Sequence, residues 1–311
     1  MVTRRKEAWL VVNVRTAEIV RRFEPPSFVH EIPPHLTNAP HLNNVRLSPD
    51  HQRLYVTTGA FVEPELWCLN ISDGSVLWKK SGRETAGRGV IHGFSAMDLS
   101  PDGRFLVTAT GFNAAPIQVW NAETGEPVTA LKGHTGWVCH LAFSRNGKVL
   151  ASAAGDQSVR LWDTDTWTQL AESLRGNGDE VYAVAFSPDG NWLSSGSRDG
   201  LVMLWDTQAP RRAPGRQDLP AHVESVRPLP DSRTLMAVGS KGEVSLIDLV
   251  TLHVTPFDIP SGGSRSFSPP NFLGIYDGAD RLQVCELSAA GGLDRRGHCA
   301  GHRESHPAGA R

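Results

Sequence analysis

Apolar and polar positions alternate in short runs through most of the chain, and the runs repeat. Residues 138–163, VCHLAFSRNGKVLASAAGDQSVRLWD, align without a gap with residues 181–206, VYAVAFSPDGNWLSSGSRDGLVMLWD. Each stretch opens with an alternating run and turns at Ser-Arg-Asn-Gly or Ser-Pro-Asp-Gly. It then runs again, turns at a Gly/Asp pair, and ends a third run in Trp-Asp. Alternation at period two predicts half-buried strands, and the Pro, Asp, Asn and Gly between them predict tight turns. No segment carries a convincing helical stripe. Each copy therefore predicts a small antiparallel meander that cannot bury both faces alone and must stack on its neighbours to form a core.

Further copies extend the series in both directions. Residues 45–70, 96–121 and 223–248 follow the same plan, and 265–286 is a worn version of it. The third run closes at Val12-Asn13, Leu69-Asn70, Trp120-Asn121, Trp162-Asp163, Trp205-Asp206, Ile247-Asp248 and Cys285-Glu286, seven marks in all. The first copy is incomplete, because residues 8–23 supply only a third and a fourth strand.

These features resemble the WD-repeat family, most specifically over residues 133–206, where Gly133-His134 opens a copy and Trp162-Asp163 closes it. The resemblance implies an all-β fold, a β-propeller of four-stranded blades around a central axis. The expectation is seven nominal blades with an incomplete first blade, six with an appended hairpin being the alternative. The implied layout is an unstructured start at 1–7, a propeller over 8–292, and an unstructured tail over 293–311. The incomplete first copy favours a start lost from a longer polypeptide.

Composition narrows the function. The 311 residues are 40% hydrophobic and 21% charged, as in globular proteins, and the formal charge of −2 gives no net basic field to hold polyanions. Nucleic acid is therefore disfavoured as a main partner. The opening MVTRRKEAWLVVNV has an apolar run of about six residues, shorter than a signal segment needs, and no run approaches a membrane span. Cys68, Cys139, Cys285 and Cys299 are scattered without paired spacing, which points to a reduced, cytoplasmic protein.

Several residues look chemical. His134, Ser152, Asp156 and Trp162 imitate a Ser-His-Asp triad, but in the family they hold structural tetrad positions. In the resemblance Asp156 holds His134, which reaches Ser152, which meets the Trp162 indole. The next copy repeats Ser195, Asp199 and Trp205 with Asn177 in place of the histidine. A fastening tolerates such a loss where a nucleophilic triad does not. In the copy after that, Ala237, Lys241 and Ile247 occupy the same places, so packing alone must hold it. His298, His302 and His306 recur at spacing four beside Cys299, yet the surrounding Gly and Pro oppose a helical metal site. Arg211, Arg212 and Arg216 form a basic loop, and 30–44 and 79–95 are long connections, read as solvated linkers. No catalytic, cofactor or metal residue is assigned, and no cofactor is expected.

The first reading of function is a non-catalytic protein-interaction scaffold or regulatory propeller, a single propeller working within a larger assembly of other proteins, away from membranes. Trp137, Glu180 and Tyr182 near the starts of their copies are the expected partner-binding residues. His140 stands with them, one of the pair Tyr182 and His140 facing inwards. Aromatic side chains there make good anchors. The alternatives are a propeller enzyme of lactonase-like or quinone-dependent dehydrogenase-like type, from RLSPDHQRLYVTTG and LNISDGSVLWKK, and a sensory propeller belonging to a larger kinase-type protein.

Overall fold

A computed structural model describes residues 42–58, 64–82, 93–111, 114–207, 215–240 and 243–257. It also describes the strand backbones at 2–5, 8–12, 19–23, 265–268, 272–276, 282–287 and 293–299. Every element named among them is a β-strand. The chain divides into two compact units, Pro26–Asp258 and a second one made of Met1–Pro25 with Ile259–Arg311.

In the second unit the N-terminal sheet comprises β1 (Val2–Arg5), β2 (Ala8–Val12) and β3 (Ile19–Phe23). The larger unit then carries five four-stranded meanders. The first runs through β4 (Leu42–Leu47), β5 (Arg53–Thr58), β6 (Glu65–Asn70) and β7 (Val76–Ser81), and the second through β8 (Phe94–Leu99), β9 (Phe105–Thr110), β10 (Ile117–Asn121) and β11 (Pro127–Leu131). The third is β12 (Val138–Phe143), β13 (Val149–Ala154), β14 (Ser158–Asp163) and the two-residue β15 (Leu174–Arg175). The fourth is β16 (Val181–Phe186), β17 (Trp192–Ser197), β18 (Leu201–Asp206) and β19 (Gly215–Asp218), and the fifth β20 (Val223–Pro228), β21 (Thr234–Gly239), β22 (Val244–Asp248) and β23 (Val254–Phe257). The C-terminal sheet, in the second unit, is β24 (Arg265–Ser268), β25 (Phe272–Tyr276), β26 (Leu282–Leu287) and β27 (Leu293–Cys299).

Two expectations change. Residues 1–7 and 293–311 were read as unstructured, yet β1 pairs with β2, Val2 opposite Val11, and β27 pairs with β26, Leu293 opposite Leu287. An edge strand is recruited by its neighbour's free N–H and C=O groups, which leave little signature in side-chain pattern. Arg216, read as part of a basic loop, lies on β19 opposite Met203, its guanidinium 3.2 Å from Asp218. Arg211, Arg212, Lys241, His302 and His306 lie outside the described residues, as do most of the 30–44 and 79–95 connections.

Each meander reads hydrophobic because it is sandwiched. The first strands β4, β8, β12, β16 and β20 pack side by side in series. The core lies between successive sheets. Trp162 joins Ala96, Val107 and Val119 of the preceding sheet, and Trp205 joins Ala151, Val159 and Leu161 of the sheet before it. The second strands FLVTAT, VLASAA, WLSSGS and TLMAVG are buried on both faces beyond their first residue. Small residues let the sheets approach closely. A Cβ on Gly196 would lie 2.4 Å from Val223 Cγ1 of the next sheet.

Turns follow the sequence. The Ser100 hydroxyl donates to Asp102 at 2.6 Å and accepts from the Phe105 N–H at 2.9 Å, and Ser48, Ser144 and Ser187 close their own turns in the same way. At the far ends of the third strands, Asn121, Asp163 and Asp248 each accept two backbone N–H groups of the following turn. Those donors hold the Asp248 carboxyl down at about 2.

Candidate functional site

Burying β13 on both faces brings Ser152 into the interior, and a buried hydroxyl requires partners. Trp162 Nε1 donates to Ser152 Oγ at 2.9 Å, and His134 Nε2 lies 2.8 Å from the same oxygen. His134 Nδ1 is 2.9 Å from Asp156 Oδ2, which also accepts the Thr135 N–H at 3.0 Å. The other Asp156 oxygen accepts the Ser158 N–H and hydroxyl. Burial alone would raise the Asp156 carboxyl, but these donors, His134 foremost, hold it well below the ordinary carboxylate range. Ser152 is fully buried and shared between two neighbours, so no substrate reaches its oxygen. The arrangement clamps loop to sheet.

The neighbouring sheets hold partial versions. Trp205 Nε1 donates to Ser195 Oγ at 3.0 Å, and Ser195 donates to Asn177 Oδ1 at 3.2 Å. Asp199 instead accepts Ser197 Oγ at 2.6 Å, and Asn177 Nδ2 is buried without a partner. Trp120 Nε1 donates to Thr108 Oγ1 at 2.9 Å, a link the sequence reading missed. Its signal was a threonine one turn back from a strand-ending tryptophan. In the fifth sheet Ala237 and Ile247 pack as buried apolar residues.

The surface that can meet a partner is built by a second regularity. The first strand of every sheet in the larger unit carries a register shift near its start, between Leu42/Asn44, Phe94/Ala96, Val138/His140, Val181/Ala183 and Val223/Ser225. A bulge leaves one residue unpaired and re-aims its side chain. Ser95, Cys139, Tyr182 and Glu224 are the residues so released. Tyr182 donates to Glu180 at 2.9 Å and stacks at 4.7 Å from the His222 ring, and Arg198 reaches Glu180 at 3.3 Å. Burial pushes the Tyr182 phenol up to about 12, with Glu180 adding to the shift. Trp137 lies against Gly155, and its carbonyl faces Cys139 Sγ at 3.7 Å. Burial also raises the Cys139 thiol to about 12, so it stays protonated. Trp137, Glu180 and Tyr182 are all half-buried and form one end of the first strands. His140 is not among them. It sits one residue past the bulge and turns inwards, where burial drives its imidazole down to about 4, Arg46 adding to the shift and Asp98 opposing it.

Among the described residues no helix is long and apolar enough to cross a membrane, and no cluster of three or more His, Cys, Asp or Glu side chains is spaced to hold a metal ion. Cys68 is buried and free, and Cys139 is also free.

Repeated four-stranded antiparallel meanders, packed sheet on sheet with their first strands in series, define a β-propeller. A chain of the crystal structure of a mitotic checkpoint complex shares this fold, with a TM-score of 0.65 over 84% of this chain and 78% of that one, at 22% identity. Residues 125–163 and 168–206 match the model of the WD domain, G-beta repeat. By that match residues 125–206 carry two WD repeats, and the fold is that of a β-propeller. Similar proteins include the periodic tryptophan protein 2 homolog of Neurospora crassa, 37% identical over 84 residues, 27% of this chain and 9% of that protein. Pre-mRNA-processing factor 19 of Oryza sativa subsp. japonica is 34% identical over 113 residues, 36% of this chain and 19% of its own length. Anaphase-promoting complex subunit cdh1 of Dictyostelium discoideum is 45% identical over 58 residues, 19% of this chain and 8% of its own. The likeness thus spans less than a fifth of each of these relatives.

Proposed function

We propose that the chain is a non-catalytic scaffold or regulatory propeller that binds protein partners through the bulged ends of its first strands. The observation that carries this reading is the patch at the starts of β12, β16 and β20. There Trp137, Tyr182 and His222 present rings beside the charged pair Glu180 and Arg198. Aromatic anchors rimmed by paired charge are the composition from which binding hot spots are made. The names of similar proteins support it, since one is a subunit of an anaphase-promoting complex and another structure is of a checkpoint complex. A formal charge of −2 supports protein partners over nucleic acid, and a buried, free Cys68 suits a reducing, cytoplasmic setting. A single propeller within a larger assembly is the state we propose.

A photo-crosslinking residue placed at Trp137 tests the reading against the same residue at Val250, which is 75% exposed and far along its sheet. The Trp137 position should capture a discrete partner from the source cell, and Tyr182→Ala should abolish that capture. Equal yields from both positions, insensitive to Tyr182→Ala, overturn it.

A further inference from the structure

A groove opens between the third and fourth sheets, at the end of the first strands away from the rim. The third sheet carries the shortest fourth strand of the larger unit, β15 having two residues against four to six in β7, β11, β19 and β23. Trp162 bridges Gln169, the Leu170 N–H donates to Leu161 O at 2.9 Å, and Val159 pairs with Leu174. Ala171, Glu172 and Ser173 therefore stand opposite Arg160 alone, and the chain arches off the sheet. Leu161 and Leu170 face each other across this hairpin and share one side of it. Leu161 is 6% exposed, in the core against the fourth sheet, but Leu170 is 50% exposed. The groove beside them, of about 290 Å³, is walled by Val149, Phe186 and Pro188.

The first sheet shows what fills such a place. There Cys68, one residue before the closing Leu69-Asn70, holds the position of Leu161, and its partner across the hairpin is Trp78. The Trp78 ring lies 6.0 Å from the Tyr55 ring, and its Nε1–H donates to Ala122 O of the second sheet at 3.2 Å. It reaches Gly125 so closely that a Cβ there would meet the indole at 2.7 Å. Ala122 follows Trp120 by two residues as Thr207 follows Trp205, and Thr207 lines the open groove. Leu170 stands where Trp78 does and, being smaller, leaves the space beside it open. A second departure sits at the mouth. Four of the five turns after the first strands carry Pro49, Pro101, Pro188 and Pro230, whereas the third carries Arg145. Arg145 lines the groove, is exposed, and has no ion-pair partner among the described residues. Asp189 in the same groove is already held by the Ser187 hydroxyl and by the Asn191 N–H and side-chain amide.

We propose that this groove docks a peptide segment of a protein partner, seating one aromatic side chain beside Leu170 and pairing a neighbouring carboxylate with Arg145. The ring would take the place between sheets that Trp78 takes between the first and second, lying on Leu161, Leu170 and Phe186. The free guanidinium sets the sign of the charge that follows it. An aromatic anchor in an apolar recess with a charged contact at its edge is the arrangement that concentrates binding energy. The groove and the rim lie at opposite ends of the first strands, so this second surface does not rest on the first.

The probes are two blocked dipeptides, N-acetyl-Trp-Glu-amide and N-acetyl-Trp-Lys-amide, titrated into the full chain and followed by ligand-observed NMR. The glutamate probe should bind saturably and more tightly than the lysine probe. Arg145→Glu should reverse that preference, each probe shifting about threefold, the size of one exposed ion pair. Leu170→Trp, which supplies the ring from within the chain, should abolish binding of both probes and raise the thermal midpoint, a gain that a misfolded variant does not give. Tyr182→Ala should leave both probes bound, so a failure here is separate from a failure of the rim; loss of binding in that variant would put the probes on the rim and overturn the proposal. Absence of saturable binding overturns it too, as does a preference that Arg145→Glu does not reverse, or a Leu170→Trp chain that binds the probes as the parent does.

Discussion

The Trp162 indole N–H and the His134 imidazole meet on one oxygen, Ser152 Oγ, at 2.9 and 2.8 Å. That shared hydroxyl ties the loop entering β12 to the two strands that follow. The next sheet keeps the tryptophan link and a longer bond from Ser195 to Asn177, with Asp199 turned to Ser197 instead, so the two sheets are an internal comparison of a complete fastening with a partial one.

Ser152→Ala should therefore cost more than Ser195→Ala. The first leaves an indole N–H and a closely held imidazole nitrogen unmet in the core, about 2–3 kcal/mol, and the second an indole N–H and an amide oxygen held only at 3.2 Å, about 1–2 kcal/mol. Urea midpoints at neutral pH measure both, and equal losses would contradict the comparison.

Asn177→His should stabilise the fourth sheet. A Cβ on the neighbouring Gly178 would sit 2.4 Å from Asp199 Oδ2, so the carboxylate already lies beside this loop. The imidazole would replace the unmet Asn177 Nδ2 and bridge Ser195 to Asp199, worth about 1 kcal/mol. A rise in the thermal midpoint checks it.

Stability should fall in two acid steps. His140 titrates near 4 when folded, below its ordinary value, so the unfolded chain takes up that proton first. Its contribution is complete above about 6.5 and is lost as pH falls towards 4, on the order of 2–3 kcal/mol. Arg46, Asp98 and Arg227 are the charged groups around it. Asp156, held below its ordinary range, adds a second loss as pH drops beneath that range. His140→Gln should erase the upper step and leave the lower.

Gly196→Ala should destabilise through contact with Val223, by about 1–3 kcal/mol of overpacking. Val223→Ala in the same chain should recover part of the loss. A double-mutant cycle showing simple additivity would place the strain elsewhere.

Much of this was legible from the residues. The meanders, their turns and the Trp162 and Trp205 positions follow from runs of equal length and recurring Ser, Asp and Trp. What escaped was what the pattern does not encode. The second strands show no alternation because both of their faces are covered, so VLASAA reads as merely small. The bulges hide inside VCHL and VYAV, where one extra residue resembles imperfect alternation. Strand β1 is joined to β2, and β27 to β26, by backbone pairing, which leaves little trace in side-chain pattern. The ion pair between Arg46 and Asp98 of successive sheets was missed because a search for repeated residues passes over equivalent places filled by unlike ones.

The recurrent bulge also bears on how such a molecule changes over generations. A side chain at Cys139, Tyr182 or Glu224 stands outside the paired register, so its replacement spares the ladder of backbone bonds on either side. One edge of the domain is a row of interchangeable slots on a fixed chassis, and recognition can drift there while the frame stays constant.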